Sequence, residues 1–236
     1  MERRGWEACD VIFVTGDAYC DHPSFGVAIL SRLLESEGYR VGIISQPDWS
    51  KEEDFLELGR PRLFFGVTAG NLDSMLSIYT SHMNLRRQDK YAPNGRPGLR
   101  PKGASIVYAN KVRALFPGVP VVLGGLEASM RRLGYYDFWS DKVKRSVLFD
   151  AKADILVYGM GERPITEIAR RLSAGELVTS LDSIRGTVIA RSDISLLDDP
   201  VILPSFDEIA RDKKKFLEAY RLYGRALTTV TARPVV

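Results

Sequence analysis

The sequence predicts an α/β fold, a doubly wound, flavodoxin-like sheet of five parallel strands followed by a C-terminal extension. Five short, continuous apolar runs recur along the chain, and amphipathic helical patterns stand between them. Continuous apolar runs are typical of parallel strands that are covered on both faces. Their alternation with helices indicates βαβ units, and right-handed crossovers between such units favour the strand order 2-1-3-4-5.

The predicted strands are rich in β-branched or aromatic residues, and a glycine or polar residue follows each of them. They are Val11–Thr15, Val41–Ser45, Leu63–Val67, Val119–Leu123 and Asp154–Tyr158. Apolar stripes with helical spacing predict helices after the first strand, before the fourth and after the fifth. The stripes lie at Val27–Leu34, Ser105–Phe116 and Ile165–Leu172, with Gly38, Gly118 and Gly175 as helix stops.

Two stretches interrupt the alternation, and the pattern weakens near the end of the chain. Asn71–Gly103 is rich in Pro, Gly and Arg, which predicts an irregular basic excursion, and Ser129–Ser146 mixes aromatic with basic residues. Beyond residue 176 we expect an edge strand at Thr187–Ala190, a polar helix at Asp207–Tyr223 and a strand that begins at Leu227 and is cut short. We therefore divide the chain into an α/β domain at residues 1–175 and a connecting segment at 176–236.

Composition excludes several classes of protein. The net charge is only +3, which makes no general case for nucleic-acid binding, and the chain has no apolar run long enough to span a membrane. The N-terminus lacks the apolar core of a signal peptide, so we expect a cytoplasmic location. Cys9 with Cys20 and His22 with His82 are too few to build a cluster or a metal site, and we predict none. The interval from Asp21 through His22 to Gly26 does not fit the cobalamin-ligand pattern Asp-x-His-x-x-Gly.

Ligands of doubly wound folds bind beyond the carboxyl ends of the strands, where the strand order reverses. The loops that follow the first, third, fourth and fifth strands are therefore the candidate site. The predicted cofactor-binding residues are Gly16, Asp17, Thr68, Gly70, Gly124, Gly125, Glu127, Gly159, Gly161 and Glu162. Glycines there either leave room for a ligand or make tight strand-to-helix turns. Glu127 and Glu162 suit either acid–base chemistry or helix capping, and we predict no catalytic residue in this chain.

Three long segments carry a resemblance to a known family. The chief one reads GGLEASMRRLGYYDFWSDKVKRSVLFDAKADILVYGMGERPITEIARRL, and FGVAILSRLLESEGYRVGIISQPDW and the stretch that begins FFGVTAGNLDSM precede it. Together they are very similar to the N-terminal portion of YgiQ-family radical SAM proteins. The resemblance is tight from about Asp10 to Leu172. Tyr135 stands where the family pattern has His.

The resemblance implies an accessory domain of a larger enzyme whose substrate is unknown. In the family, a cobalamin-binding-like domain precedes a radical SAM domain, whose three cysteines hold a [4Fe–4S] cluster that binds and cleaves S-adenosylmethionine. This chain has no such cysteine run, so we assign no cofactor to it on this basis, and we expect that the fragment alone is not catalytic. Cobalamin binding without a His ligand stays open. The implied partner is the downstream radical SAM domain of the same protein.

A cofactor-free interaction domain is the alternative, with RNA or a protein bound through basic aromatic segments. The first basic cluster is Arg86, Arg87, Lys90, Arg96, Arg100 and Lys102, and the second is Arg131, Arg132, Lys142, Lys144 and Arg145. Tyr135, Tyr136, Phe138 and Trp139 accompany the second cluster. The same residues suit a docking face for the downstream domain.

Overall fold

The computed structural model describes residues 4–195, 197–227 and 232–236, and the chain forms two compact units. The first comprises Met1–Arg132 with Val147–Ala190, and the second comprises Leu133–Ser146 with Arg191–Val236. No helix of the described residues is long and apolar enough to cross a membrane.

The first unit is built on a six-stranded sheet. In chain order the strands are β1 (Val11–Thr15), β2 (Val41–Ser45), β3 (Phe64–Thr68), β4 (Val121–Gly124), β5 (Tyr135–Asp137), β6 (Lys142–Lys144), β7 (Ile155–Val157) and β8 (Thr187–Val188). The sheet has the order β2-β1-β3-β4-β7-β8, while β5 and β6 form a separate hairpin. All neighbours from β2 to β7 are parallel, and β8 pairs antiparallel with β7.

The prediction of a doubly wound α/β sheet is confirmed as a largely parallel sheet, and its five parallel strands stand in the predicted order. The prediction of five strands requires a correction, because a sixth strand covers the outer edge of β7. This strand lies within the edge segment expected at Thr187–Ala190 but is only two residues long. Residues 158–186, which include α7 (Glu162–Ser173) and a 3-10 turn at Val178–Ser180, connect β7 to β8.

The helices lie between the strands as the apolar stripes predict, with several short helices in addition. They are α1 (Gly26–Ser36), α2 (Glu53–Leu56), α3 (Ser74–Ile78), α4 (Ala104–Leu115), α5 (Gly125–Met130), α6 (Val147–Asp150), α7 (Glu162–Ser173), α8 (Phe206–Arg211) and α9 (Lys213–Ala226). Short 3-10 turns occur at Pro93–Gly95 and Val178–Ser180.

Both faces of the sheet are covered, which explains the continuous apolar runs. Alternate residues of a strand point to opposite faces. In β3, for example, Phe65 belongs to a core cluster with Tyr108 of α4, whereas Phe64 belongs to the opposite cluster with Leu34 of α1 and Ile168 of α7.

The second unit contains the β5–β6 hairpin, α8 and α9. The single helix predicted at Asp207–Tyr223 is wrong, because Asp212 separates two helices. Its backbone is extended, with φ −126° and ψ 115°, and its side chain accepts a hydrogen bond from the Lys214 amide at 2.7 Å. Asp212 thus ends α8 and caps α9. The strand predicted from Leu227 falls partly on residues 228–231, which lie outside the described residues; Val235 makes an isolated parallel bridge to Val201.

Candidate ligand-binding site

A cavity of about 470 Å³ lies where the loops leave the carboxyl ends of β1, β3, β4 and β7. It extends down one face of the sheet, along Phe13, Val122 and Val157, and α1 and α7 contribute Leu30 and Ile165 to its wall. Apolar clefts of about 300–1,000 Å³ are typical of sites for small molecules and cofactors.

The structure brings most of the predicted site residues to this cavity. Asp17, Thr68, Gly70, Gly124, Gly125, Gly159, Gly161 and Glu162 line it, whereas Gly16 and Glu127 do not. The loops meet because the carboxyl ends of parallel strands share one edge of a sheet. Their registers are adjacent, with Thr15 opposite Thr68 and Thr68 opposite Gly124.

The glycines of these loops serve two different purposes. A side chain at Gly159 would meet nothing within 4 Å, and one at Gly124 would meet only the Val157 carbonyl oxygen at 3.9 Å. These two positions therefore leave open space in the cavity. Gly70 and Gly125 have φ values of +107° and +84°, and a Cβ there would overlap Asp17 and Thr68 respectively. Gly70 and Gly125 allow the loops to pack on each other.

Gly16 permits a close approach within the protein and does not face the cavity. A Cβ at this position would overlap the Ala69 carbonyl group and the Arg100 guanidinium. The Gly16 amide donates to the Thr68 carbonyl at 3.2 Å, so the loop after β1 is held directly against the loop after β3.

A buried ion-pair cluster anchors the loop after β1. Arg100 is 3% exposed and lies between two carboxylates, 2.8 Å from Asp17 Oδ1 and 3.2 Å from Asp89 Oδ2. Asp17 Oδ2 also accepts a hydrogen bond from the Asn71 amide at 2.6 Å. Burial raises the pKa of the Asp17 carboxyl above its ordinary value, although the hydrogen bond from Asn71 and the charge of Arg100 oppose this shift.

The position of Arg100 corrects its assignment to a basic surface cluster. Its guanidinium also donates to the Ala69 carbonyl oxygen, so it ties the excursion after β3 to two of the site loops. No local pattern in the sequence indicates this role, because the ion pair with Asp17 joins residues that are far apart in the chain.

Glu127 is 1% exposed, and its carboxylate connects its own helix, α5, to the N-terminal turns of α3 and α4. One carboxylate oxygen accepts from the Ser74 amide at 2.8 Å, and the other accepts from the Ser105 amide at 3.0 Å. These amides are at the first turns of α3 and α4, where backbone donors have no partner within the helix. Of the two roles that the sequence left open, the geometry supports capping, although Glu127 caps two other helices and not its own.

Glu162 differs from Glu127 because it lines the cavity from the first turn of α7. It is half-buried, and a carboxylate at a helix N-terminus is stabilised by the helix dipole. Both its interpretations, as an acid–base group and as a helix-terminal carboxylate, are compatible with this position.

The other basic residues are largely engaged within their own unit. In the first unit Arg131 forms an ion pair with Asp73, and Arg132 lies over the ring of Tyr158 at 4.7 Å. In the second unit Lys144 lies 2.8 Å from Asp137. These contacts do not favour a surface that grips RNA through both clusters.

Two residues of the first basic cluster are also engaged in contacts within the protein. Arg86 donates to the carbonyl oxygens of Leu76 and Tyr79, and Lys102 lies 5.0 Å from the centre of the Tyr79 ring. Arg87, Lys90 and Arg96 are exposed.

Cysteine and histidine do not come together in a metal site. Cys9 is buried, Cys20 is exposed, and His22 Nδ1 accepts a hydrogen bond from the Ser24 amide at 3.1 Å. Among the described residues no group of three or more His, Cys, Asp and Glu side chains could hold a metal ion.

Comparison with known proteins identifies a family. The model of the family described as Radical SAM N-terminal matches residues 1–236. The UPF0313 protein RPA0679 of Rhodopseudomonas palustris is 50% identical over 256 residues, covering 100% of this chain and 38% of that protein. The UPF0313 protein GSU2873 of Geobacter sulfurreducens is 51% identical over 235 residues, covering 99% of this chain and 39% of that protein. The chain thus spans about two fifths of the length of these curated relatives.

A solved structure shares the fold. It is that of the radical S-adenosylmethionine methyltransferase TsrM from Kitasatospora setae, with cobalamin and a [4Fe–4S] cluster bound. The TM-score is 0.50 with 21% sequence identity, and the match covers 78% of this chain and 29% of that chain. At this identity the likeness concerns the fold alone.

Proposed function

The chain belongs to the Radical SAM N-terminal family, and we propose that it is an accessory domain whose cavity receives the nucleotide tail of a cobalamin. The resemblance to radical SAM proteins drawn from the sequence is confirmed, because the chain corresponds to an N-terminal portion of longer UPF0313 proteins. In this proposal residues 1–175 form the cobalamin-binding-type domain, and residues 176–236 lead into the domain that carries the [4Fe–4S] cluster and S-adenosylmethionine.

The cavity itself is the observation that carries the proposal. Its volume of about 470 Å³ lies within the range of small-molecule sites and suits a nucleotide-sized group. The apolar side chains of Phe13, Val122 and Ile165 suit an aromatic base. Open space at Gly124 and Gly159 leaves room for the link between base and ring.

The side chains near the cavity indicate whether a histidine could bind the cobalt of such a cofactor. His22 engages the Ser24 amide, and the spacing of its neighbours does not fit a cobalt-ligand motif, so the residues fit a mode without a His ligand. A bound cobalamin supplies cobalt-based group-transfer chemistry. The side chains of Phe13, Val122 and Ile165 would hold the tail, and these apolar walls would exclude water from it.

Equilibrium dialysis with hydroxocobalamin tests the proposal. Gly124 has an extended backbone, with φ −158°, which any residue adopts, so Gly124→Leu places a side chain in the cavity without backbone strain. We expect the unaltered chain to bind and Gly124→Leu to weaken binding at least about tenfold, which corresponds to about 1.4 kcal/mol.

Gly224→Leu is the matched control. Gly224 lies in α9, and a side chain there meets nothing within 4 Å, so binding should be unchanged. If the unaltered, well-folded chain binds no hydroxocobalamin, the cofactor proposal is wrong while the family assignment stands.

A further inference from the structure

We propose that the exposed apolar faces of α3 and α5 form the docking surface for the part of the radical SAM protein that follows this domain. The proposal rests on the function proposed above only in that the chain acts as one domain of a longer enzyme. It does not require that cobalamin binds.

The two helices bury polar residues and expose apolar ones, which inverts the usual pattern of a surface helix. In α3 Ser74 and Ser77 are buried while Leu76 is 47% exposed. In α5 the Glu127 carboxylate is buried beside the small side chain of Ala128, while Met130 is 60% exposed. A single exposed leucine is common on protein surfaces. Two neighbouring helices that both expose large apolar side chains and bury polar ones indicate an interaction surface.

The protein fixes this orientation through its interior hydrogen bonds. The Glu127 carboxylate binds the first amide of α3, and the Ser74 hydroxyl accepts from the Ala104 amide at 3.2 Å. Arg131, directly after α5, forms an ion pair with Asp73, the residue that caps α3. Rotating either helix to bury its leucine or methionine would break these contacts, so the apolar faces are held outward.

Other large apolar side chains are exposed at the same edge of the sheet. Most of those that the first unit exposes lie in the loops and helices that follow the strands at the carboxyl edge, and together they make up an apolar rim. They include Tyr19, Trp49, Leu72, Leu76, Leu126, Met130 and Met160. Leu126 and Met160 also line the mouth of the cavity, so whatever covers the rim also covers the cavity.

The length of the relatives identifies the occupant. The match covers all of this chain but only 38% of RPA0679 and 39% of GSU2873, so more than half of each relative lies outside the matched region. A downstream segment of the same polypeptide is present at high effective concentration. We therefore expect the downstream segment, and not a separate protein, to bind the apolar rim.

Cysteine accessibility tests the surface. In a Cys20→Ser background, Leu76→Cys and Met130→Cys are placed on the proposed face, and Leu56→Cys of α2 is the control. Leu56 is 46% exposed, which matches Leu76 closely, and it lies outside the loops at the carboxyl edge. Alkylation by N-ethylmaleimide is measured in this chain alone and in the chain joined to the remainder of the Geobacter relative.

We expect alkylation at positions 76 and 130 to be at least about tenfold slower in the joined protein, with position 56 unchanged. Equal rates at all three positions in both proteins would overturn the proposal. Protection in the chain alone that grows with its concentration would also overturn it, since the occupant would then be a second copy. The same cysteines at the aligned positions of the complete Geobacter protein repeat the measurement without an engineered junction.

Discussion

At the scale of single residues, Glu127 and Glu162 show how one sequence context leads to two environments. Each lies in the first turn of the helix that follows a parallel strand: Glu127 stands two residues after Gly125, and Glu162 stands directly after Gly161. Glu127 turns inward to two backbone amides, whereas Glu162 lines the cavity. The sequence predicts that both lie near the site, but it cannot distinguish them, because the amides that bind Glu127 belong to residues 74 and 105.

We predict that Glu127→Ala lowers the free energy of unfolding by about 3 kcal/mol. The substitution leaves the amides of Ser74 and Ser105 buried without their charged acceptor. Glu162→Ala is the matched control and should cost at most about 1 kcal/mol, the value of a charge near a helix terminus. Urea unfolding followed by circular dichroism measures both. Equal losses for the two variants would contradict the capping role of Glu127.

At the scale of elements, the apolar runs predict all five parallel strands, with their ends placed to within two residues. β1 and β2 have the predicted bounds, and β3 is displaced by one residue, to Phe64–Thr68. β4 begins two residues later than predicted, at Val121, because Pro120 has no amide hydrogen to donate to a neighbouring strand. The apolar periodicity does not reveal the break at Asp212, because residues 211–215 are all charged, and the Asp212 side chain caps the next helix.

The excursion at residues 71–103 is held by buried charged side chains at two places. The Glu127 carboxylate binds the first amide of α3, and the later part of the excursion is held by Arg100, which is buried between Asp17 and Asp89. An unpaired buried carboxylate is costly, so the charges of Asp17 and Asp89 require this guanidinium.

We predict that Arg100→Ala detaches the excursion and destabilises the chain by about 3–5 kcal/mol. Limited proteolysis by trypsin should then cleave within residues 71–103 at least about tenfold faster, with cleavage sites identified by mass spectrometry. Arg96→Ala is the control, since Arg96 lies on the same excursion with its side chain exposed. If Arg100→Ala is cleaved no faster than Arg96→Ala, the ion-pair cluster does not anchor the segment.

At the scale of the whole molecule, the family and the α/β class follow from the sequence, whereas the division into units does not. The second unit joins Leu133–Ser146 to Arg191–Val236, two segments separated by α6, β7, α7 and β8. The hairpin residues lie within the block that most resembles radical SAM proteins, so the sequence places them in the first domain. Such pairing depends on long-range packing that periodicity does not report.

The two units should differ in stability, because their cores differ in size. The apolar core clusters on both faces of the sheet belong to the first unit, whereas the buried apolar side chains described in the second unit are Ile209 and Ala226. Stability within a protein follows local burial, so elements with few buried apolar contacts open first.

We therefore predict that native-state hydrogen exchange separates the two units. At low concentrations of denaturant, amides of α9 should exchange through an opening that leaves β1 and β3 protected. Their apparent opening free energies should lie at least about 2 kcal/mol below those of the central strands. The two helices α4 and α9 have similar lengths and provide an internal comparison, since α4 packs Tyr108 and Val112 into the core of the sheet. Convergence of α9, α4 and the central strands on a single opening free energy would show that the chain unfolds as one cooperative body.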